Sequence, residues 1–413
     1  MNKTHKSIKI KLSIMMGLQW AIFGAWLPLL LQHMEKLGFS VMQQTIIGTA
    51  PAAAAMLAIF FGNDWADRRF SAEKYLGVSH LIGGIALLGL FFTKSYPLFC
   101  VLMYVHAFFY MPTISITNAI SFRHLKDPQK EFGHVRMWGP VGWMAASWPM
   151  YFLLKGTTGA QSDAMIASVF VVGGCAAILL GLFSFALPST PVLSTGNSTT
   201  GTAWVKALKL TSSPFLIVLL IVALIDSINH MGYFILSGSF LESLGVKPEL
   251  IMPIMGLSQL SEIFVTFALG YILTRLGWKM TLLTGIFAHA LRFMAYALMA
   301  ESLPVIIGVQ LLHGVCYACF FATLYIFVDV VYPKEVSASA QGIFNFVILG
   351  LGDLFAKWLY IPAKAAMTTD GVTHYSTLFL LPMALSFVGI LILGLFFTPP
   401  NELKDTSQLE VAA

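Results

Sequence analysis

Asp226, Asn229, His230 and Tyr233 stand at offsets of 0, 3, 4 and 7 in a stretch that is otherwise almost wholly apolar. That spacing puts all four on one face of a helix. A polar stripe of this kind needs a polar neighbour, either a cavity that solute and water enter or a second helix that returns the hydrogen bonds. Gln259, Glu262 and Thr266 repeat the pattern at offsets of 0, 3 and 7. Glu262 is the sharper residue, because a carboxylate inside an apolar span must be paired or protonated. Such a group suits a cycle that takes up a proton on one side of a membrane and releases it on the other.

Arg136 adds a permanent cation. It sits in His134-Val135-Arg136-Met137-Trp138-Gly139-Pro140, and the chain then stays apolar through Trp143 and Trp148 to Leu154. Arginine does not lose its proton in proteins, and a charge at mid-span costs about 3 kcal/mol on insertion scales. Arg136 must therefore face a partner, a water-filled cavity or a lipid headgroup. Further candidates are His313 and Tyr317 at i, i+4, followed by Phe320 and Phe321, and Gln19 with Trp20, Phe23 and Trp26. Thr113, Thr117, Asn118 and Ser121 add hydroxyl and amide groups. Aromatic rings beside amides suit a planar, hydroxylated solute, although single aromatics also serve as packing. Asp353 and Lys357 can neutralise each other at i, i+4, whereas Arg292 has no partner near it in sequence. Cys316 and Cys319 have CxxC spacing but no second ligand pair, and read as packing residues.

The elements that must carry these groups are membrane spans. The chain is 57% hydrophobic and 10% charged, against about 25% charged in soluble proteins. A span needs about 20 mostly apolar residues, and twelve candidates are present. They lie at 9–32, 41–62, 74–94, 96–122, 134–154, 165–187, 212–238, 250–274, 279–300, 303–330, 338–360 and 375–398. A cytoplasmic N-terminus places Lys3, Lys6, Lys9, Lys11, Arg68, Arg69, Arg123, Lys126, Lys206, Lys209, Arg275 and Lys279 on one side. Lys36, Lys94, Lys155, Lys247 and Lys364 fall on the other. This is the positive-inside pattern, with both termini cytoplasmic. The net charge of +5 is then topological and does not argue for nucleic acid. The basic N-terminus precedes a stretch long enough to span, so it reads as a retained first span and not as a cleaved signal.

The chain divides into an N-terminal six-helix bundle (1–187), a cytoplasmic linker (188–211), a C-terminal six-helix bundle (212–398) and a tail (399–413). The linker composition, including Ser194-Thr195-Gly196-Asn197-Ser198, is that of a flexible segment. Two loops also correspond: Asn63-Asp64-Trp65-Ala66-Asp67-Arg68-Arg69 after the second span, and Gly270 through Lys279, with Arg275 and Gly277, after the eighth. Both resemble the loop signature of the major facilitator superfamily. The fold class is therefore an all-α membrane protein of twelve transmembrane helices in two pseudo-symmetric halves, with a site expected near the midplane. No G-x-x-x-x-G-K-[ST] loop occurs, so the expected energy source is an ion gradient with no cofactor. No nucleophile, metal cluster or His/Asp constellation marks an enzyme.

A narrower resemblance rests on Tyr110-Met111-Pro112-Thr113, Asn118-Ala119-Ile120-Ser121-Phe122 and Phe132-Gly133-His134-Val135-Arg136-Met137-Trp138-Gly139. Leu18-Gln19-Trp20, Ser258-Gln259-Leu260-Ser261-Glu262 and Leu291-Arg292-Phe293 extend it over nearly the whole chain. The sequence resembles the nucleoside:proton symporter family. The resemblance implies a bacterial inner-membrane permease that imports nucleosides with protons by alternating access. It implies that Arg136, Asn229, Gln259 and Glu262 contact the nucleoside or lie beside it. Gln19, Trp143 and Tyr317 join them as candidate substrate contacts, although Trp143 and Tyr317 replace other aromatics of the family, and the buried carboxylate chemistry of Glu262 makes it the candidate for proton coupling. Ala318 stands where the family has a carboxylate, and Asp226 can supply it from the facing helix. Pro140 stands where family members can have a threonine, so a sugar, oligosaccharide or organic acid remains the alternative cargo. The expected partners are a small-molecule solute and the lipid bilayer, with the protein acting as a monomer.

Overall fold

The computed structural model describes residues 3–58, 71–191 and 200–400, and nearly all of them are helical. Among these residues, nine helical stretches are long and apolar enough to cross a membrane. The difference from twelve has local causes. Pro248–Leu298 is a 51-residue stretch, twice the length of a span, broken at Gly277 with φ 70° and ψ 172°. That positive φ is a conformation glycine adopts without a Cβ clash, and it falls between the eighth and ninth expected spans. The second expected span begins as Val41–Gly48 and Ala50–Leu57, and its end lies outside the described residues. The fifth is split into Trp138–Ala145 and Ser147–Leu154. Pro51, Pro140 and Pro149 lie in these broken helices, each lacking the N–H that would continue the ladder. The Asn63–Arg69 loop motif lies outside the described residues, as do linker residues 192–199 and tail residues 401–413.

The described chain forms two units. The first comprises Met1–Ser194 with Phe234–Gln259, and the second Thr195–Tyr233 with Leu260–Ala413. In the first unit, helices Ala72–Phe92 and Ser168–Ser184 cross with backbones nearly touching. A Cβ on Gly77 would lie 3.1 Å from the Gly181 carbonyl oxygen, and one on Gly84 3.1 Å from that of Gly174. Small residues let membrane helices approach where no hydrophobic drive separates helix from lipid. Gly142 is closer still: its Cβ would overlap the backbone of Gly17 on the Lys3–Trp26 helix.

Residues 234–259 are bound into the first unit by polar contacts. Gln32 Nε2 donates to Glu242 Oε2 at 2.5 Å, and Lys36 Nζ reaches Glu242 at 3.5 Å and Asp163 at 3.0 Å. Ser239 Oγ donates to Glu35 at 3.4 Å, and a Cβ on Gly238 would lie 2.6 Å from the Pro28 carbonyl oxygen.

In the second unit, an apolar cluster joins Trp278, Leu282, Phe320, Phe327, Phe344 and Phe397. The segment expected as a linker carries a helix, Thr200–Thr211, at its C-terminal end. Its Ala207 is buried in that cluster, and Thr211 Oγ1 lies 2.8 Å from the Tyr332 hydroxyl. Asp353 and Lys357 do pair, both buried on the helix Asp353–Ala366. A two-residue hairpin at Thr368–Thr373 turns through Asp370 (φ 52°) and Gly371 (φ 78°), the Asp-Gly turn that favours a tight antiparallel pair.

Glu131, outside the spans, ties the Pro128–Arg136 helix to the N-terminal helix. Its Oε1 receives His5 Nε2 at 2.9 Å and Lys9 Nζ at 3.2 Å. The hydrogen bond from His5, opposed by burial and aided by Lys9, brings its pKa down to about 2. A carboxylate with a depressed pKa stabilises the fold above the ordinary carboxylate range, and that contribution fades as pH falls toward the folded-state value. The thermal-midpoint difference between wild type and Glu131→Gln should therefore be largest near neutrality and shrink between about pH 5 and pH 2. A difference that grows on acidification would contradict this. A second expectation concerns packing: Gly142→Ala should destabilise by about 1–3 kcal/mol through overpacking. Gly394→Ala, where a Cβ meets nothing within 4 Å, should leave the unfolding midpoint in detergent unchanged or slightly raised.

Candidate functional site

The expected site residues divide between the two units. Gln19, Arg136, Trp143 and Gln259 belong to the first; Asp226, Asn229, Glu262 and Tyr317 belong to the second.

In the first unit, Arg136 is half-buried, and its guanidinium lies 4.5 Å from the centre of the Trp20 ring. Such a contact contributes about 0.5–2 kcal/mol. Gly139 makes the room, since a Cβ there would overlap Arg136 Nη1 and lie 2.8 Å from Trp20 Cδ1. Gln19 is fully buried. Its Nε2 donates to Thr113 Oγ1 at 2.9 Å, while its Oε1 has no hydrogen-bond partner among the described residues. The Tyr110 hydroxyl donates to the Gln19 carbonyl at 2.7 Å and holds that turn in place. Trp143 packs on Gly24, where a Cβ would lie 2.6 Å from its Cγ, and its ring centre is 5.8 Å from that of Phe234. Gln259 is buried beside Ser258, with Nε2 at 3.4 Å from the serine hydroxyl.

The second unit holds a cluster of ionisable side chains in which Asp226, His289, Arg292 and His313 are buried and His230 is partly buried. Asp226 Oδ1 and His289 Nδ1 are 2.7 Å apart. Arg292 Nη1 lies 2.9 Å from His313 Nδ1. Arginine only donates, so His313 accepts on Nδ1 and cannot be doubly protonated in this geometry. The Arg292 guanidinium also rests 4.2 Å from the centre of the Tyr233 ring and 5.2 Å from that of Phe293. His230 stacks on His313 with ring centres 4.9 Å apart and lies 5.9 Å from His289. Tyr317, half-buried, is 6.1 Å from His230.

Asn229 is held at both ends of its amide. Its Nδ2 donates to Ser386 Oγ at 3.0 Å, and its Oδ1 accepts from the Tyr360 hydroxyl at 2.7 Å. The Tyr233 hydroxyl donates to Gln310 Oε1 at 2.9 Å, and Gln310 Nε2 donates to the Tyr296 hydroxyl at 2.7 Å. The polar face of the Pro214–Ser243 helix is thus answered by side chains from four other segments. Glu262 is 7% exposed. A Cβ on Gly314 would overlap the Ser261 and Glu262 backbone, so the two helices touch at the peptide that carries this carboxylate. Residues Tyr317–Ala322 wind as a π-helix, a local irregularity that recurs at functional sites. It contains Ala318, which is fully buried.

His289, Gln310, Tyr360 and Ser386 are not among the residues expected from sequence. A signal for His289 was present. His289, Arg292, Phe293 and Tyr296 stand at offsets of 0, 3, 4 and 7, the same spacing as the Asp226 stripe. Tyr360 also shares a helical face with Asp353 and Lys357, at offsets of 7 and 3, whereas Ser386 gave no signal, being a lone polar residue in an apolar run whose partner lies far away in the chain.

Comparison with known proteins gives concordant results. The family model described as "Nucleoside H+ symporter" matches residues 6–402. The putative nucleoside transporter YegT of Escherichia coli (strain K12) is 32% identical over 350 residues, covering 83% of this chain and 81% of that protein. The nucleoside permease NupG of the same organism is 27% identical over 408 residues, covering 91% of this chain and 92% of the relative. A crystal structure of a point mutant of nucleoside transporter NupG superposes with a TM-score of 0.83 at 23% identity, covering 95% of this chain and 100% of that one. That likeness establishes a shared fold.

The Asn229 amide predicts a measurable coupling. Asn229→Ala removes the acceptor of a buried tyrosine hydroxyl and should cost about 1–3 kcal/mol. Tyr360→Phe alone should cost less. The double variant should be no worse than Asn229→Ala, because the orphaned hydroxyl is gone. Strictly additive losses in a thermal-unfolding cycle would show that the two groups do not interact.

Proposed function

The chain belongs to the nucleoside H+ symporter family, and on that basis we propose that it imports nucleosides together with protons by alternating access. The observation that carries this reading is the family match across residues 6–402. The protein is a multi-pass membrane transporter of a small-molecule solute and not an enzyme. Its fold is that of the major facilitator superfamily.

The residue roles are part of the proposal. Arg136, Trp143, Gln19 and Gln259 offer a cation, an aromatic face and amides; Asn229 and Tyr317 offer an amide and a phenol. These are the group types that recognise base edges and ribose hydroxyls. Glu262 takes up a proton from outside, solute binds, and the change of access lets Glu262 release the proton inward. Asp226 is the second proton-coupling carboxylate, consistent with its full burial and with Ala318 at the position where the family has one. The proton gradient is the energy source, with no cofactor. We place the protein in the bacterial inner membrane as a monomer, with six-helix halves on either side of residues 188–211. Both termini are cytoplasmic, on the strength of the basic-residue asymmetry.

Proteoliposomes with an inside-alkaline pH gradient test this reading. Labelled uridine should accumulate, unlabelled nucleosides should compete, and xylose should not. Competition by sugars and not by nucleosides would instead favour the sugar-permease alternative. Glu262→Gln should lose gradient-driven accumulation, and an unchanged pH dependence in that variant would remove Glu262 from the proton path.

A further inference from the structure

The Asp226–His289 pair has a geometry that goes beyond a structural hydrogen bond. A single proton lies between Oδ1 and Nδ1, whichever atom formally carries it, because the 2.7 Å contact needs one donor and one acceptor. That arrangement leaves the outer atom of each group open. Asp226 Oδ2 and His289 Nε2 are both fully buried, and neither has a hydrogen-bond partner among the described residues. Each carries a lone pair that can accept a proton without disturbing the bond between the two residues. Arg292 sits beside them with the same character: its Nε and Nη2 are buried with no hydrogen-bond partner among the described residues.

The local charge adds a second constraint. With the shared proton alone, the pair carries one negative charge, and Arg292 carries one permanent positive charge that acts on Asp226 and on His289. The couple and the guanidinium then balance. The other groups facing the couple do not alter the balance. His313 accepts from Arg292 and is not doubly protonated in this geometry, and Cys316 is fully buried on the helix that carries His313. His230 is on the same helix as Asp226, one turn on. Asp353 and Lys357 neutralise each other on their own helix. Tyr360 and Ser386 are engaged by Asn229.

We propose that Asp226 and His289 act as one proton-binding couple in the transport cycle, with Arg292 as its fixed counter-charge. A proton from the outside water forms a new N–H bond at His289 Nε2 or a new O–H bond at Asp226 Oδ2. The same bond breaks when the proton leaves to the inside water, and no other atom or electron is transferred. The couple supplies the second proton-coupling site from two residues on two helices, where the family pattern has one carboxylate and this chain has Ala318. The proposal rests on proton-coupled transport as described above, and assigns to His289 a role equal to that of Asp226.

The test uses full-length protein in proteoliposomes, with labelled uridine. His289→Gln is the informative variant, because its amide still donates to Asp226 Oδ1 but cannot bind a proton. It should lose gradient-driven accumulation at least tenfold and flatten the pH profile of uptake, while keeping counterflow exchange and the wild-type unfolding midpoint. Asp226→Asn should behave likewise, and the double variant should be no worse than either alone. Wild-type accumulation and an unchanged pH profile in a folded His289→Gln protein would overturn the couple and leave proton symport standing. Should His289→Gln not fold, Asp226→Asn decides by the same readout. Wild-type net uptake of uridine that is indifferent to the pH gradient would overturn proton symport and the couple together.

Discussion

A guanidinium that never loses its proton, placed where no water reaches it, is the constraint on which the second unit depends. Arg292 is among the largest fully buried side chains in the protein. A charge in a low-dielectric interior is costly unless acceptors, π faces or opposite charge surround it. The structure supplies an acceptor and π faces directly, His313 Nδ1 and the Tyr233 and Phe293 rings, and carries the Asp226-bonded His289 one turn earlier on the same helix. Each consequence fixes another. Because His313 must accept, its tautomer is set; because it stacks on His230, that ring is set too. Tyr233, held under the guanidinium, directs its hydroxyl to Gln310 and through it to Tyr296. Networks of this type are stable only when nearly every member is satisfied. Among the described residues, Asp226, His289 and Arg292 each keep a buried polar atom with no hydrogen-bond partner, and these atoms have chemistry still available.

The first unit meets a different requirement. Its helices come together through backbone contacts at glycine, as at Gly17 and Gly142 or at the paired crossings of Gly77 with Gly181 and Gly84 with Gly174. Close backbone contact leaves little room for adjustment. On that frame Arg136 is treated unlike Arg292: it stays half-buried over a single indole, in space that Gly139 keeps open. A cation that keeps partial access to solvent can exchange its partner for a solute. One that is fully enclosed sets the charge of its surroundings.

Much of this was legible in the residue pattern. The helical class and the Asp226 stripe follow from apolar periodicity, and the Asp353–Lys357 pair follows from i, i+4 spacing. The Gly277 break agrees with the loop motif between spans eight and nine. Pairings across sequence were less accessible. Arg292 alone gave no hint of His313, since the two are brought together by tertiary packing and not by a shared helix. His289 carried the right offsets but sits in a span whose only obvious polar feature was the arginine. The places where helical stretches divide or merge were not legible, because prolines and Gly277 act locally in ways that average hydropathy does not register.

The central claim is that solute and proton move together. Its most direct measurement is proton flux at the moment of solute addition, read with a pH-sensitive dye outside proteoliposomes that hold the purified protein and no imposed gradient. Adding uridine should alkalinise the external medium at once, with xylose giving no signal and protein-free vesicles giving none. Uridine entry with no accompanying change in external pH would contradict proton coupling.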